Sequence, residues 1–445
     1  MNRHVTISLP RTKGLDYAWE QKEDLKEVLS KMGLSGFEPD DNYTLKKVPA
    51  PPSRREGLES MEFAAEAPPY FFEVAGFVDD ADLDAIREYV NVRVESNPSI
   101  APHCGDSHGV LMPHPAHEPV GSYEDIQEQL SKAALAGWQE EGERVYVAIL
   151  DTGISLEFLR DEHGLEPRTD DSMSFSFTGI EPFQTPKAEA GHGTAMAFNA
   201  LLVAPPKCTL LDFPIMSGVN LEAFLEDAKA VYRALLAWMN NYPGGKPRLV
   251  INNSWGLKNL CEDIGRGKPG NYSHSLDHSF NVLVGQLAQA GADILFSAGN
   301  CGDEDQPPRK DPCGERGDRT IYGANSHPHV LTVSAVDVNH DWLGRSSKGP
   351  GAFNNNKKPD ICAYSHFEGA RTPLSAVDRG TSTACAVATS VVAAIRSQYS
   401  PDKLSPGTLQ NLIRESATRL GTTEYDCRFG YGVLNVPKLL NLLPP

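Results

Sequence analysis

The 445-residue sequence predicts an α/β, three-layer fold with a mostly parallel sheet, preceded by a small α+β domain. Three observations carry this expectation. From Arg144 onward, short apolar runs at residues 145–150, 209–213, 249–252, 292–297 and 330–335 alternate with helical stretches. That alternation is the pattern of strands buried on both faces between crossover helices. Two further stretches, opening at Gly191 and Gly380, are rich in Ala, Thr, Ser and Val and predict helices pressed closely against a sheet. The first hundred or so residues carry a different rhythm, in which strand and helix periodicities follow one another and are interrupted by prolines.

Bulk properties narrow the function. With 41 basic and 59 acidic side chains the net charge is −18, which argues against nucleic acid or an anionic membrane as the main partner. No run approaches the roughly 20 apolar residues of a spanning helix. The N-terminus, Met1-Asn2-Arg3-His4-Val5-Thr6-Ile7, lacks the apolar core of a signal peptide. Eight cysteines are scattered without a dense framework, so a reducing, cytoplasmic setting is expected.

In chain order, residues 4–9 alternate as a strand, 23–32 carry Leu25, Val28, Leu29 and Met32 at helical spacing, and 43–48 alternate again. After Pro49, Pro51, Pro52 and the pair Pro68-Pro69, a strand is expected over 70–77, a helix over 82–90 and a strand over 91–96. This βαβ–βαβ order describes a ferredoxin-like domain over residues 1–104. Residues 105–121 are expected to form a linker overlapping a Pro- and His-rich stretch, 98–119, whose histidines are better explained by a solvated connection than by metal binding. An amphipathic helix over 122–138 then leads into a large domain spanning 122–445.

Chemistry concentrates in three places in that domain. Gly380-Thr381-Ser382-Thr383-Ala384 puts a hydroxyl where a Gly turn becomes a helix, whose free N–H groups point at whatever reacts on Ser382. A serine needs a general base and a group to orient it. Val147-Ala148-Ile149-Leu150-Asp151-Thr152-Gly153 ends a buried strand on a carboxylate, and Gly191-His192-Gly193 opens a helix with a histidine in its first turn.

The order Asp151, His192, Ser382, in these local contexts, resembles the subtilisin-like serine peptidases (subtilases, family S8) over residues 124–445. Thr383 stands where the family usually has Met, which leaves the nucleophile itself in place. The resemblance implies a serine endopeptidase acting on a protein or peptide, with Ser382 as nucleophile, His192 as base then acid, and Asp151 orienting the imidazole. It implies Asn300, at the end of Ile294-Leu295-Phe296-Ser297-Ala298-Gly299-Asn300, as an oxyanion donor beside the Ser382 backbone N–H. Ser254, Trp255 and Gly256 match the segment that pairs with extended substrate, and Ser217 and Gly218 begin the opposing strand. Trp255 fits a pocket rim or buried packing equally well. Tyr322, where the family has small residues at the pocket floor, points to small or polar P1 side chains. The N-terminal domain is similar in element order to inhibitory prodomains, which implies an intramolecular inhibitor; a small α+β domain with an unrelated interaction role is the alternative.

No cofactor is required by this chemistry; calcium, common in the family's surface loops, stays unassigned, since no Asp/Asn/Gly loop of calcium spacing appears. Two insertions flank the site. Residues 258–274 suggest a loop lining the substrate groove, and 301–316 carry Cys301 and Cys313, expected as free thiols, with a disulfide or a metal site including Cys261 as alternatives. Cys385 is expected as a small buried side chain. The competing function is a scaffold whose N-terminal domain fills the groove permanently while the chain acts by binding a partner. An α/β-hydrolase esterase is opposed by the lack of a Gly-x-Ser-x-Gly elbow and by the order of the three residues.

Overall fold

The structure, a computed structural model, describes residues 1–21, 25–49, 70–88, 92–102, 118–135, 138, 144–176, 181–184, 191–216, 223–243, 245–302, 319–373, 375 and 377–445. They form two compact units, Met1–Pro98 with Asn259–Tyr272, and Ser99–Lys258 with Ser273–Pro445.

The N-terminal unit runs β1 (Asn2–Leu9), α1 (Lys13–Gln21), α2 (Leu25–Lys31), β2 (Phe37–Pro39), β3 (Lys46–Pro49), β4 (Tyr70–Asp79), α3 (Asp80–Glu88) and β5 (Arg93–Ser96). Its sheet is antiparallel, in the order β2-β4-β1-β5, with β3 also on β4. Val5, Ile7 and Leu9 of β1 face a core with Phe72, Val74, Leu29, Leu83 and Ile86, as strand alternation and helix periodicity require. Ile264, from the segment 259–272, is buried in that same core. Sequence reasoning did not anticipate α1 or β2; they are short, nine and three residues long.

The second unit opens with β6 (Ser99–Pro102), then α4 (Tyr123–Gln129), α5 (Lys132–Leu135), β7 (Val145–Asp151), α6 (Leu156–His163), β8 (Arg168–Thr169), α7 (His192–Ala200), β9 (Thr209–Pro214), β10 (Ala223–Phe224) and α8 (Leu225–Asn240). It continues with β11 (Arg248–Asn253), β12 (Trp255–Leu257), α9 (Ser279–Ala290), β13 (Asp293–Ser297), β14 (Leu331–Val336), β15 (Ile361–Tyr364), α10 (Gly380–Gln398), α11 (Pro406–Ser416) and α12 (Val436–Leu442). Seven parallel strands lie in the order β15-β14-β13-β11-β7-β9-β8. The α/β expectation is met: each predicted strand falls on β7, β9, β11, β13 or β14 within two residues. The helix expected over 122–138 is instead two short ones, because Ser131 takes a left-handed φ of 52° between them. Ser122 caps the first in a capping box with Asp125. Residues 105–117 of the expected linker lie outside the described residues.

Helix α10 is the centre of this unit. It packs on α7 and on the parallel sheet, and its Ala, Val and Ser side chains from Thr381 to Ser397 are all buried. Near its C-terminus Arg396, fully buried, forks onto both oxygens of Asp293 and reaches the carbonyls of Leu404 at 2.6 Å and Tyr399 at 3.2 Å. Arg396→Leu strands the Asp293 carboxylate and is expected to cost about 3–5 kcal/mol of stability, read as a lowered midpoint of denaturant unfolding. A midpoint unchanged from the wild type would contradict it.

Candidate active site

The carboxyl ends of the central strands bring the predicted residues together. Asp151 ends β7, fully buried, and its carboxylate accepts from its neighbour's N–H, Thr152 N, at 2.8 Å. His192 is the first residue of α7, and its Nδ1 donates to Asp151 Oδ1 at 2.8 Å and Oδ2 at 2.9 Å. This bond fixes the ring so that Nε2 is the free basic nitrogen. Gly193 allows the approach: a Cβ there would lie 2.6 Å from the Gly153 carbonyl oxygen, and its N–H donates to Thr152 Oγ1 at 2.9 Å. Burial alone would hold the imidazole uncharged, but the charge and hydrogen bond of Asp151, joined by the charge of Asp378, outweigh it and raise the His192 pKa above its ordinary 6.5.

Ser382 lies in the first turn of α10, 2 % exposed. Its Oγ donates to the Ser254 carbonyl at 3.1 Å, while Ser254 Oγ donates to the Ser382 carbonyl at 3.0 Å. The serine hydroxyl is thus turned to the backbone of the Ser254 loop and not to His192, the loose arrangement expected before a substrate is engaged. Asn300 follows β13 through Ala298 and Gly299, and its Oδ1 accepts from Thr381 N at 2.9 Å and Thr381 Oγ1 at 3.0 Å. That bond turns the NH₂ end toward Gly380, where an added Cβ would lie 2.8 Å from Asn300 Nδ2; with a φ of +81°, position 380 is suited to glycine on both counts.

Around this centre a second, three-stranded sheet runs β10-β6-β12. In β12, Trp255 pairs with Pro102, Gly256 with Ala101 and Leu257 with Ile100, and on the other edge Ala223 pairs with Ile100. Of the residues predicted to bind substrate, Ser254 touches Ser382 and Gly256 pairs with β6. Trp255 joins the strand by its backbone while its ring is fully buried, 5.1 Å from Phe296 and 6.1 Å from Phe280, so its side chain is packing and not a rim. The Tyr322 ring, half-buried, lies 5.5 Å from that of His274. Ser217 and Gly218 lie outside the described residues.

A family model described as the subtilase family matches residues 142–432, well over half of the chain and a span containing Asp151, His192, Asn300 and Ser382. The chain belongs to the subtilase family. As a subtilase it is a serine endopeptidase. Among solved structures it is similar to the epidermin leader peptide processing serine protease of Staphylococcus aureus, at 15% identity and a TM-score of 0.58, covering 99% of this chain and 98% of that one. It is also similar to fervidolysin of Fervidobacterium pennivorans, a keratinolytic enzyme related to subtilisin, at 15% identity and a TM-score of 0.59, covering 100% of this chain and 62% of that one. Comparison with curated proteins gives no match.

Three polar residues of this subtilase's site escaped sequence reasoning. Asn325, in the expected pocket floor, uses its amide to hold the carbonyls of Trp255 and Ser297, each at 2.8 Å, and so ties β12 to the strand that carries Asn300. Asp212, a carboxyl in the otherwise apolar β9, accepts from Ile154 N at 3.1 Å and Phe183 N at 2.8 Å, clamping the turn after Asp151; burial pushes its pKa up to about 7. The signal was visible as a charge inside the run Leu210-Leu211-Asp212-Phe213. Asp378, buried and raised to about 6, accepts from Asn199 Nδ2 at 2.6 Å and Ala370 N at 2.9 Å, and no motif marks it. Cys385 is fully buried, and burial pushes its thiol up, so it stays protonated; Cys301 is exposed and outside any disulfide, and Cys261 is disulfide-bonded. Among the described residues no group of three or more His, Cys, Asp or Glu converges as a metal site, and no helix is long and apolar enough to cross a membrane.

Proposed function

We propose that the chain hydrolyses peptide bonds through an acyl-enzyme on Ser382, with His192 as base then acid, Asp151 holding the imidazole, and Asn300 Nδ2 with the Ser382 N–H as the oxyanion donors. No cofactor enters this mechanism. The observation that carries it is the Asp151–His192 bond, set across the packed pair α7 and α10 from a serine at a helix N-terminus. The neutral imidazole is the active base, so protonation removes activity. Because the His192 pKa is raised, kcat/KM for a peptide is expected to fall as pH drops through a midpoint above 6.5. An acid limb centred at or below that value would contradict the reading.

The substrate is an extended peptide entering as β6 does. Strand β6 runs antiparallel to β12 and ends at Pro102 opposite Trp255, one step from Ser254 and its contact with Ser382. The chain therefore offers its own segment to the nucleophile, and self-cleavage falls within the first few residues after Pro102. At the P1 position Tyr322 favours small or polar side chains; a P1-varied peptide library returning Phe or Leu as the best residues would overturn that preference. One observation favours a second reading, an autoinhibited chain working as a scaffold: Ile100, within β6, is fully buried between β10 and β12. Incubating the full chain with a generic peptide separates the two, since turnover supports the peptidase and lasting silence of an uncut chain supports the scaffold.

A further inference from the structure

Segment Asn259–Tyr272 is joined at both ends to the catalytic unit, by Lys258 and Ser273, yet it folds as part of the N-terminal unit. The contacts are numerous and specific. Arg3 Nη1 donates to the carbonyls of Cys261 at 2.7 Å and Asp263 at 2.6 Å, and Arg87 Nη2 to that of Pro269 at 2.8 Å. Ser96 N donates to the Gly270 carbonyl at 2.8 Å, and Ser96 Oγ meets the Asp263 carboxylate. Asp263, 4 % exposed, then accepts from Tyr272 N at 3.0 Å and Asn271 Nδ2 at 2.8 Å, which closes the segment into a loop around its own carboxylate. Ile264 inserts into the apolar core among Val5, Leu83, Ile86 and their neighbours. At Gly270, φ is +78° and a Cβ would lie 2.1 Å from the Val94 carbonyl oxygen, so the two backbones approach as closely as glycine permits.

We propose that Asn259–Tyr272 is a docking segment that retains residues 1–98 as a permanent, non-covalent subunit, so that cutting the connecting chain does not release them. Core insertion, a buried carboxylate satisfied from both sides and charge-assisted bonds to three carbonyls are the contents of a domain interior, not of a transient contact. Loss of residues 1–98 would also leave Ile264 exposed and Asp263 without its Ser96 partner, a cost the retained subunit avoids. The inference holds whether or not Ser382 cuts the chain, and it gives the segment a task other than lining the groove.

The test uses the full chain carrying Ser382→Ala, with the recognition sequence of a site-specific protease inserted after Gly109. The chain is cut and run on gel filtration and native mass spectrometry in reducing buffer, so that the disulfide at Cys261 holds nothing. The two pieces are expected to co-elute at the mass of the uncut chain. Gly270→Val is expected to separate them. Arg3→Ala, which leaves the backbone untouched, is run beside it in case Gly270→Val unfolds the chain, and is expected to raise the dissociation constant about tenfold or more. Asp80→Ala, which removes the Arg3 ion pair but not the bonds to the carbonyls, is the control and is expected to leave the complex intact. Separation of the cut chain carrying no other substitution overturns the proposal, as does co-elution that neither Gly270→Val nor Arg3→Ala weakens.

Discussion

Ser382→Ala is expected to lower kcat toward a peptide by about 10⁶-fold, the scale of loss when the nucleophile of such a triad is removed. The substitution deletes one oxygen, whose bond in the structure is to the Ser254 carbonyl, and α10 keeps its other contacts. The fold is therefore expected to survive, with an unfolding midpoint close to that of the wild type. The same variant decides self-cleavage. Intact mass and N-terminal sequencing over time should show the wild type acquiring a new N-terminus just beyond Pro102 while Ser382→Ala stays whole. Equal cleavage of both would assign the cut to a contaminating protease and remove the support that β6 lends to the mechanism.

Asp151→Asn is expected to cost about 10⁴-fold in kcat with little change in structure. The carboxylate accepts from His192 Nδ1 at 2.8 and 2.9 Å, and an amide can present its NH₂ group to the same nitrogen. His192 would then carry its proton on Nε2, where the base must be free. The charge is lost as well. Burial, no longer outweighed by Asp151, then draws the imidazole pKa down, so the acid limb of the residual activity should move to lower pH. A variant that keeps the wild-type limb would show that the limb belongs to another group, and Asp378, whose charge acts on His192 and whose own pKa is raised to about 6, is a candidate.

What was legible in the sequence was local. Asp151, His192, Ser382 and Asn300 each sit where an apolar strand or a small-residue helix meets a glycine turn, and both the turn and the apolar run are written in consecutive residues. The five strands recognised from Arg144 onward are almost wholly buried runs long enough to stand out, whereas β15, Ile361-Cys362-Ala363-Tyr364, is only four residues long. What was not legible is pairing between distant segments. Nothing in Ser99-Ile100-Ala101-Pro102 announces two partners more than a hundred residues downstream, because strand pairing uses backbone groups that every sequence has. Residues 258–274 looked like an irregular groove loop for the same reason: Asp263 and Gly270 become meaningful only when Ser96 and Val94 arrive beside them. Trp255 shows the converse, since its backbone lies in β12 while its ring belongs to the packing beneath.

Strand β6 also has a kinetic consequence. A segment tied to the same chain as the cleft strands β10 and β12 is present at an effective concentration of about millimolar, fixed by the chain and independent of how dilute the protein is. On the reading proposed above, a free peptide at micromolar levels competes poorly against such an occupant, and because β6 continues directly from residues 1–98, a cut after Pro102 leaves it attached to the docked piece. The expected signature is inhibition of peptide turnover that dilution neither relieves nor deepens.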